Sequence, residues 1–275
     1  FLAKMSEGEP RILGRIIACP DDYSPDMLEG IPRDLGRGFL EPPLPEGQPL
    51  PFYGTDVWNC YEVSWLRGGP RRGYLEFCVP CTTPSLVESK SLKLYLNSLN
   101  FRNFASDDEM LKTIVADVAP VLKARPEELT VRLLTSEPPL ISNEEWVCVD
   151  EEEFGDAADP YSPSEELLCF DEGAGEAEVS EKLVCNLLRT NCPVTNQPDW
   201  GAVLVHYEGR KMSRAGLKRY LCSLRRAVGF HEVCTEKIFL AIQRRLKPSK
   251  LEVTGRFMRR GGIDINPVRT SHVGW

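Results

Sequence analysis

Two octapeptides 125 residues apart, LKLYLNSL at 92–99 and LKRYLCSL at 217–224, share the pattern Leu-Lys-x-Tyr-Leu-x-Ser-Leu. Each sits at the same place in a longer order. In the first half, "DVWNCYEVSWL" and "GYLEFCVPC" are aromatic and β-branched, hence strand-like, with a turn at "RGGPRRG" between them. "SLKLYLNSLNF" follows with helical character. Then "SDDEMLKTIVADVAPVLKA" offers Ser106 and Glu109 as a capping box ahead of apolar residues at helical spacing. "LTVRLLT" closes the half as a strand. The second half repeats the order: strands "KLVCNLLRT" and "GAVLVHYEG", helices "SRAGLKRYLCSLRRAV" and "EVCTEKIFLAIQRRLK", and strand "KLEVTGRFM". A repeated ββααβ order with a matching octamer predicts an internal duplication. The expected fold class is α+β: two modules, each an antiparallel sheet with helices on one face.

Length and charge set the boundaries. The 275 residues suit one large or two ordinary domains. Residues 1–50, rich in Pro and Gly, read as an extended wrapping segment. Residues 51–140 form the first module and 181–275 the second. Between Arg132 and Lys182 there is no basic residue but 16 Asp and Glu, so 141–180 reads as an acidic, solvated connector. Outside that stretch 25 acidic residues face 33 basic ones, a balance that suits an anionic ligand or simply a scattered basic surface.

Several function classes find no support. No apolar run is long enough to span a bilayer, and "FLAKMSEGEP" lacks the basic start and apolar core of a secretory signal. The ten cysteines are irregularly spread, as in a reduced cytoplasmic protein rather than a disulfide framework. "CVPC" (78–81) has no second pair or nearby histidine, so no metal is expected. No phosphate-binding glycine loop follows a strand, and "EGAGEAE" lacks the third glycine of a dinucleotide fingerprint.

Four segments carry candidate chemistry. In "RTNCPVTNQPDWG" Cys192 stands in a turn-forming stretch where a thiol is accessible, with Asp199 seven residues on to take or deliver protons; ordinary turn chemistry explains the same residues. "GFHEVC" sets His231 and Glu232 at a helix start, suited to grip a heterocycle or simply to cap. "VESKS" places Glu88 between strand and helix, followed by Lys90; it can accept paired N–H groups or be a charged helix start. "RRGGIDINPVR" joins Arg259 and Arg260 to Gly261 in a turn suited to phosphate.

Together "ESKSLKLYLNSLNF", "NCPVTNQPDWG", "FHE" and "RRGGIDINPVR" resemble the landmarks of the QueF family, the nitrile oxidoreductases of queuosine biosynthesis (7-cyano-7-deazaguanine reductases). Their order is that of the long, bimodular subfamily, and the resemblance spans most of the chain. It implies tandem tunnelling-fold modules like those of GTP cyclohydrolase I, assembled as a cytoplasmic homodimer acting on a small molecule, without direct nucleic-acid or membrane contact. It implies reduction of 7-cyano-7-deazaguanine to the 7-aminomethyl compound with two NADPH per turnover. Cys192 would attack the nitrile carbon to form a thioimidate, with Asp199 as proton donor and His231 assisting. Substrate would be read by Val87, Glu88, Ser89, His231 and Glu232. NADPH would meet Ser89, Lys90, Arg260 and Gly261, with Arg259 as a further phosphate contact.

The resemblance also gives meaning to an asymmetry. The first half has "VESKS" but no Cys-x6-Asp loop. The second has that loop but reads "KMSRAG" where the glutamate would be, so each module is expected to keep half of the site. Two rival readings predict different behaviour. A Cys–His hydrolase using Cys192 and His231 on a C–N bond would turn over without NADPH. A non-catalytic purine- or pterin-binding module would bind ligand regardless of Cys192.

Overall fold

The computed structural model describes residues 17–45, 47–138, 145–155 and 161–274. They fall into two compact units. The first holds the described parts of Phe1–Phe39, Thr55–Pro139 and Arg259–Ile265; the second holds those of Leu40–Gly54, Leu140–Met258 and Asn266–Trp275.

In the first unit the chain runs β1 (Gly30–Pro32), α1 (Arg33–Arg37), β2 (Tyr53–Leu66, which starts two residues before the unit), β3 (Pro70–Pro80), β4 (Ser85–Val87), α2 (Ser89–Asn97), α3 (Asp107–Leu122) and β5 (Thr130–Leu134). The strands line up antiparallel in the order β5-β3-β2. Along β2 the buried apolar residues are Trp58 and Cys60, then Val63 and Trp65. The step of three between Cys60 and Val63 is a register shift against β3, and the bulge keeps both pairs on one face. Onto that face α3 lays Met110, Ile114, Val118 and Leu122 at helical spacing, and α2 adds Leu92, Tyr95 and Leu96. Burying each such side chain is worth about 1.5–3 kcal/mol. Ser106 caps α3 by accepting from Glu109 N–H at 3.1 Å. The return bond of Glu109 goes to Ala105 N–H at 2.7 Å, so the expected box closes one residue early.

The second unit runs β6 (Val147–Cys148), β7 (Glu178–Asn191), β8 (Pro198–Arg210), α4 (Arg214–Ser223), α5 (His231–Leu246), β9 (Lys250–Phe257) and β10 (Ile263–Thr270), whose residues from Asn266 on belong here. Its strand order is β10-β9-β8-β7-β6, antiparallel except for the parallel β6–β7 pair. Buried Leu183 and Cys185, then Leu188 and Thr190, repeat the three-residue step, and the β7–β8 register shifts between Cys185 and Leu188.

The two units thus share the order ββααβ, in a mixed α+β fold with antiparallel-rich sheets, and they share detail. β2 and β7 are both 14 residues long and start 125 residues apart. Tyr95 and Tyr220 are both buried, and the Ser98 and Ser223 hydroxyls donate to their carbonyls at 2.6 and 2.7 Å.

One expectation needs revision. The Pro- and Gly-rich segment is not simply extended: β1 pairs with β4, and Arg33, 3% exposed, donates to Asp56 at 2.6 Å. The described parts of the acidic connector are mostly exposed, but they are anchored at a few points. Val149 and Leu168 are buried, Asp150 accepts from the Asn186 side chain at 3.0 Å and backbone at 2.8 Å, and Glu165 pairs with Arg244. Interleaved apolar residues and cationic partners on the second unit hold this stretch down despite its charge. Residues 141–144 and 156–160 of it lie outside the described residues.

Candidate active site

Cys192 begins the loop of the β7–β8 hairpin. Its N–H donates to Gln197 O at 2.9 Å and its carbonyl accepts from Asn196 N–H at 3.0 Å, closing the loop. Asn196 takes the left-handed conformation (φ 53°) that such a turn requires and asparagine tolerates. The half-buried thiol is therefore held on a short, internally bonded loop. Past the loop Pro198 pairs with Asn191 and Asp199 with Thr190. Asp199 lies on β8 and is 4% exposed.

The hairpin also recruits α5. Asn191 N–H donates to Ala227 O at 2.8 Å, and Gly229 N–H donates to Asn191 O at 3.1 Å. These bonds draw the start of α5 toward the loop. His231 Nε2 comes to 3.6 Å from Asp199 Oδ2, and Glu232, 3% exposed, follows in the first turn. The His231 ring stacks on Phe257 with centroids 3.9 Å apart and planes 1° from parallel, which fixes its orientation. Its Nδ1 is buried with no hydrogen-bond partner among the described residues, so it can serve a ligand atom.

Gly201 makes this packing possible. It pairs with Phe257, and a Cβ there would lie 2.7 Å from Arg256 O and 3.2 Å from Phe257 Cα. The tight Gly201 contact brings β8 and β9 together beneath His231. Cys234, one turn into α5, is buried, and burial pushes its thiol up to about 12. Of these two thiols Cys192 is the accessible one.

In the first unit β4 leads straight into α2. Val87 is buried and pairs with Gly30, and Glu88 N–H donates to Glu29 O at 2.8 Å. The Glu88 carboxylate caps α2, accepting from Lys90 N–H at 3.1 Å and Ser91 N–H at 2.7 Å. Burial raises its pKa, while those two N–H groups oppose the shift. Each carboxylate oxygen retains a lone pair for a further donor. Ser89 is exposed and Lys90 half-exposed at the same helix start.

Arg259, Arg260 and Gly261 lie in this first unit too. Gly261 (φ 59°) and Gly262 (φ 79°) make a left-handed turn closed between Arg260 and Ile263. A Cβ on Gly261 would lie 3.5 Å from Lys93 Cδ, which sets the turn against α2. Arg259 stands over the Tyr61 ring at 4.8 Å. Lys90, Lys93, Arg259 and Arg260 give four cationic side chains in the same unit as the exposed Gly261, with Lys93 paired to Glu62 at 3.1 Å and Arg259 to Glu137 at 3.9 Å.

The structure thus groups Cys192, Asp199, His231 and Glu232 in the second unit, and Val87 to Lys90 with Arg259 to Gly261 in the first. Sequence reasoning missed Phe257, whose signal was its place at the end of an alternating strand. It also missed Lys93, one helical turn after Lys90. Among the described residues no group of three or more His, Cys, Asp or Glu could hold a metal ion, and no helix is long and apolar enough to cross a membrane.

Residues 19–132 match the family of nitrile reductase, 7-cyano-7-deazaguanine-reductase N-term, and residues 198–273 match the family of QueF-like proteins. Similar proteins include the NADPH-dependent 7-cyano-7-deazaguanine reductase of Desulfotalea psychrophila, 42% identical across 94% of this chain and 92% of the relative. The reductase of the same name from Coxiella burnetii is 41% identical across 94% and 91%. That of Cupriavidus necator is 41% identical across 97% and 95%. Among solved structures, the apo form of the archaeosine synthase QueF-Like is 20% identical with a TM-score of 0.31, covering 35% of this chain and 95% of that one, a likeness on which no fold assignment rests. By its identity to these reductases over nearly its whole length, the chain belongs to the family of 7-cyano-7-deazaguanine reductases.

Proposed function

We propose that this protein reduces the nitrile of 7-cyano-7-deazaguanine to the primary amine with NADPH. The observation that carries the reading is the hairpin whose loop begins at the half-buried Cys192 and whose return strand carries Asp199, 3.6 Å from His231, in a chain 42% identical to a reductase of that name.

The Cys192 sulfur adds to the nitrile carbon: the S–C bond forms, one C–N π bond breaks, and the nitrogen takes a proton delivered through Asp199. The product is a thioimidate, whose C=N accepts hydride more readily than a nitrile does. NADPH supplies a hydride to carbon in each of two rounds. After the first, the S–C bond breaks, Cys192 regains its electron pair as thiolate and an imine remains. After the second, Asp199 and His231 deliver the proton that completes the amine. One nitrile, two hydrides and two protons give one amine.

Glu88 and Glu232 accept from the N–H edge of the deazaguanine, Val87 and Ser89 complete that contact, and His231 Nδ1 faces the substrate. Ser89, Lys90, Arg259, Arg260 and Gly261 hold the dinucleotide phosphates. On this reading the two ββααβ units are tunnelling-fold modules of a cytoplasmic homodimer that acts on the free base and not on nucleic acid.

Intact-protein mass spectrometry with 7-cyano-7-deazaguanine and no NADPH tests the proposal. An adduct is expected in the wild type and lost in Cys192→Ala. Absence of both adduct and NADPH consumption in the wild type would falsify it. Asp199→Asn is expected to lower turnover about 10²-fold or more, the usual worth of a positioned acid; wild-type turnover would remove Asp199 from the proton path.

A further inference from the structure

The first unit contains a counterpart of the Cys192 loop, and it is not empty of chemistry. We propose that this counterpart is a second, non-catalytic site that binds a phosphate-bearing small molecule.

The correspondence follows from the pairing. β2 and β7 start 125 residues apart, and their bulges, between Cys60 and Val63 and between Cys185 and Leu188, fall at the same offset. Trp65 therefore matches Thr190. Across the hairpin Trp65 pairs with Arg71, whereas Thr190 pairs with Asp199. Val63 pairs with Gly73, as Leu188 pairs with Gly201. Arg67 opens the first loop where Cys192 opens the second. Asp107, the first residue of α3, lies 125 positions before Glu232, the second residue of α5. The duplication kept the frame and exchanged the thiol and the acid for guanidinium groups.

The frame encloses a hollow of about 340 Å³, at the lower end of the range of small-molecule sites. Tyr61, Trp65 and Tyr74 supply aromatic walls, and Thr135 and Ser136 add hydroxyls. Asp107 is the carboxylate in the wall. It is already answered by Arg67 at 2.6 Å and by Trp65 Nε1 at 3.1 Å. Arg71 donates only its Nε, to Arg67 O at 3.4 Å, and neither Arg71 nor Arg72 has an ion-pair partner among the described residues. Arg71 and Arg72 both line this hollow with its hydroxyl groups, and a guanidinium suits a phosphate, to which it can give bidentate bonds. The aromatic walls suit a small organic group carried by that phosphate.

Isothermal titration calorimetry on the full chain tests the site, with inorganic phosphate and adenosine monophosphate as separate probes. Saturable binding is expected that weakens tenfold or more in Arg71→Ala and in Arg72→Ala, partly recovers in Arg71→Lys, and weakens with added salt. Lys90→Ala and Cys192→Ala are expected to bind the probes as the wild type does, and Arg71→Ala to keep wild-type reductase turnover. Equal affinities for the two probes assign the site to phosphate itself, and tighter adenosine monophosphate assigns it to a phosphate ester; both support it. No saturable binding of either probe, wild-type affinity in Arg71→Ala, or an equal loss in Lys90→Ala overturns the proposal.

Discussion

At Glu88 one carboxylate is asked to cap α2 and to stay almost wholly out of water, since the residue is 4% exposed. Burial raises its pKa above the ordinary glutamate value, and the Lys90 and Ser91 N–H groups offset part of the rise. The folded state therefore binds this proton more readily than the unfolded chain does. Its contribution to stability is fully present below the unfolded pKa and is lost as pH rises through the raised folded pKa. Glu88→Gln removes that dependence. Measured by urea midpoints from about pH 4 to about pH 8, wild type is expected to lose stability relative to Glu88→Gln as pH climbs; a difference that stays flat counts against a raised pKa. At this scale Cys192, Asp199, Glu88 and His231 were legible because each sits in a short stretch with turn or capping chemistry of its own. Phe257 was not legible. Its role comes from stacking under a histidine 26 positions away along the chain, and nothing local marks it.

Strands and helices were largely readable from period and caps, and the bulges have a sequence trace. The apolar step of three from Cys60 to Val63, and from Cys185 to Leu188, breaks a two-residue alternation that resumes afterwards. What no local pattern revealed is the bond between β10 and α5. Arg269 is fully buried, and its Nε and Nη2 donate to Glu236 Oε1 at 3.2 and 2.9 Å while Nη1 donates to Val268 O. Arg269→Met leaves Glu236 buried without its cation and is expected to cost about 3–5 kcal/mol in urea unfolding. The double variant with Glu236→Leu is expected to recover most of that loss. A single variant as stable as wild type would show that the pair holds nothing together.

For the molecule as a whole, the compact units do not follow the linear boundaries. Residues 40–54 join the second unit, where Phe52 meets Phe239 edge-on at 5.8 Å between centroids. A Cβ on Gly54 would lie 1.9 Å from Val268 O, so the backbone there is in direct contact with β10. A fragment of residues 181–275 lacks both contacts and the Val149 and Leu168 anchors. It is expected to show no cooperative unfolding transition, and Phe52→Ala in the full chain to cost about 3–5 kcal/mol. A fragment melting cooperatively at the wild-type midpoint would refute this. Residues 259–265 make the opposite exchange and set Arg259, Arg260 and Gly261 in the unit that carries Ser89 and Lys90. Periodicity, capping residues and the 125-residue echo were enough to predict a repeated ββααβ order, because those signals lie between near neighbours in the chain. Which distant segments complete each unit, and which charges end up buried together, follows from burial and pairing among residues as far apart as Phe52 and Phe239. That energy exists only once the chain has closed on itself.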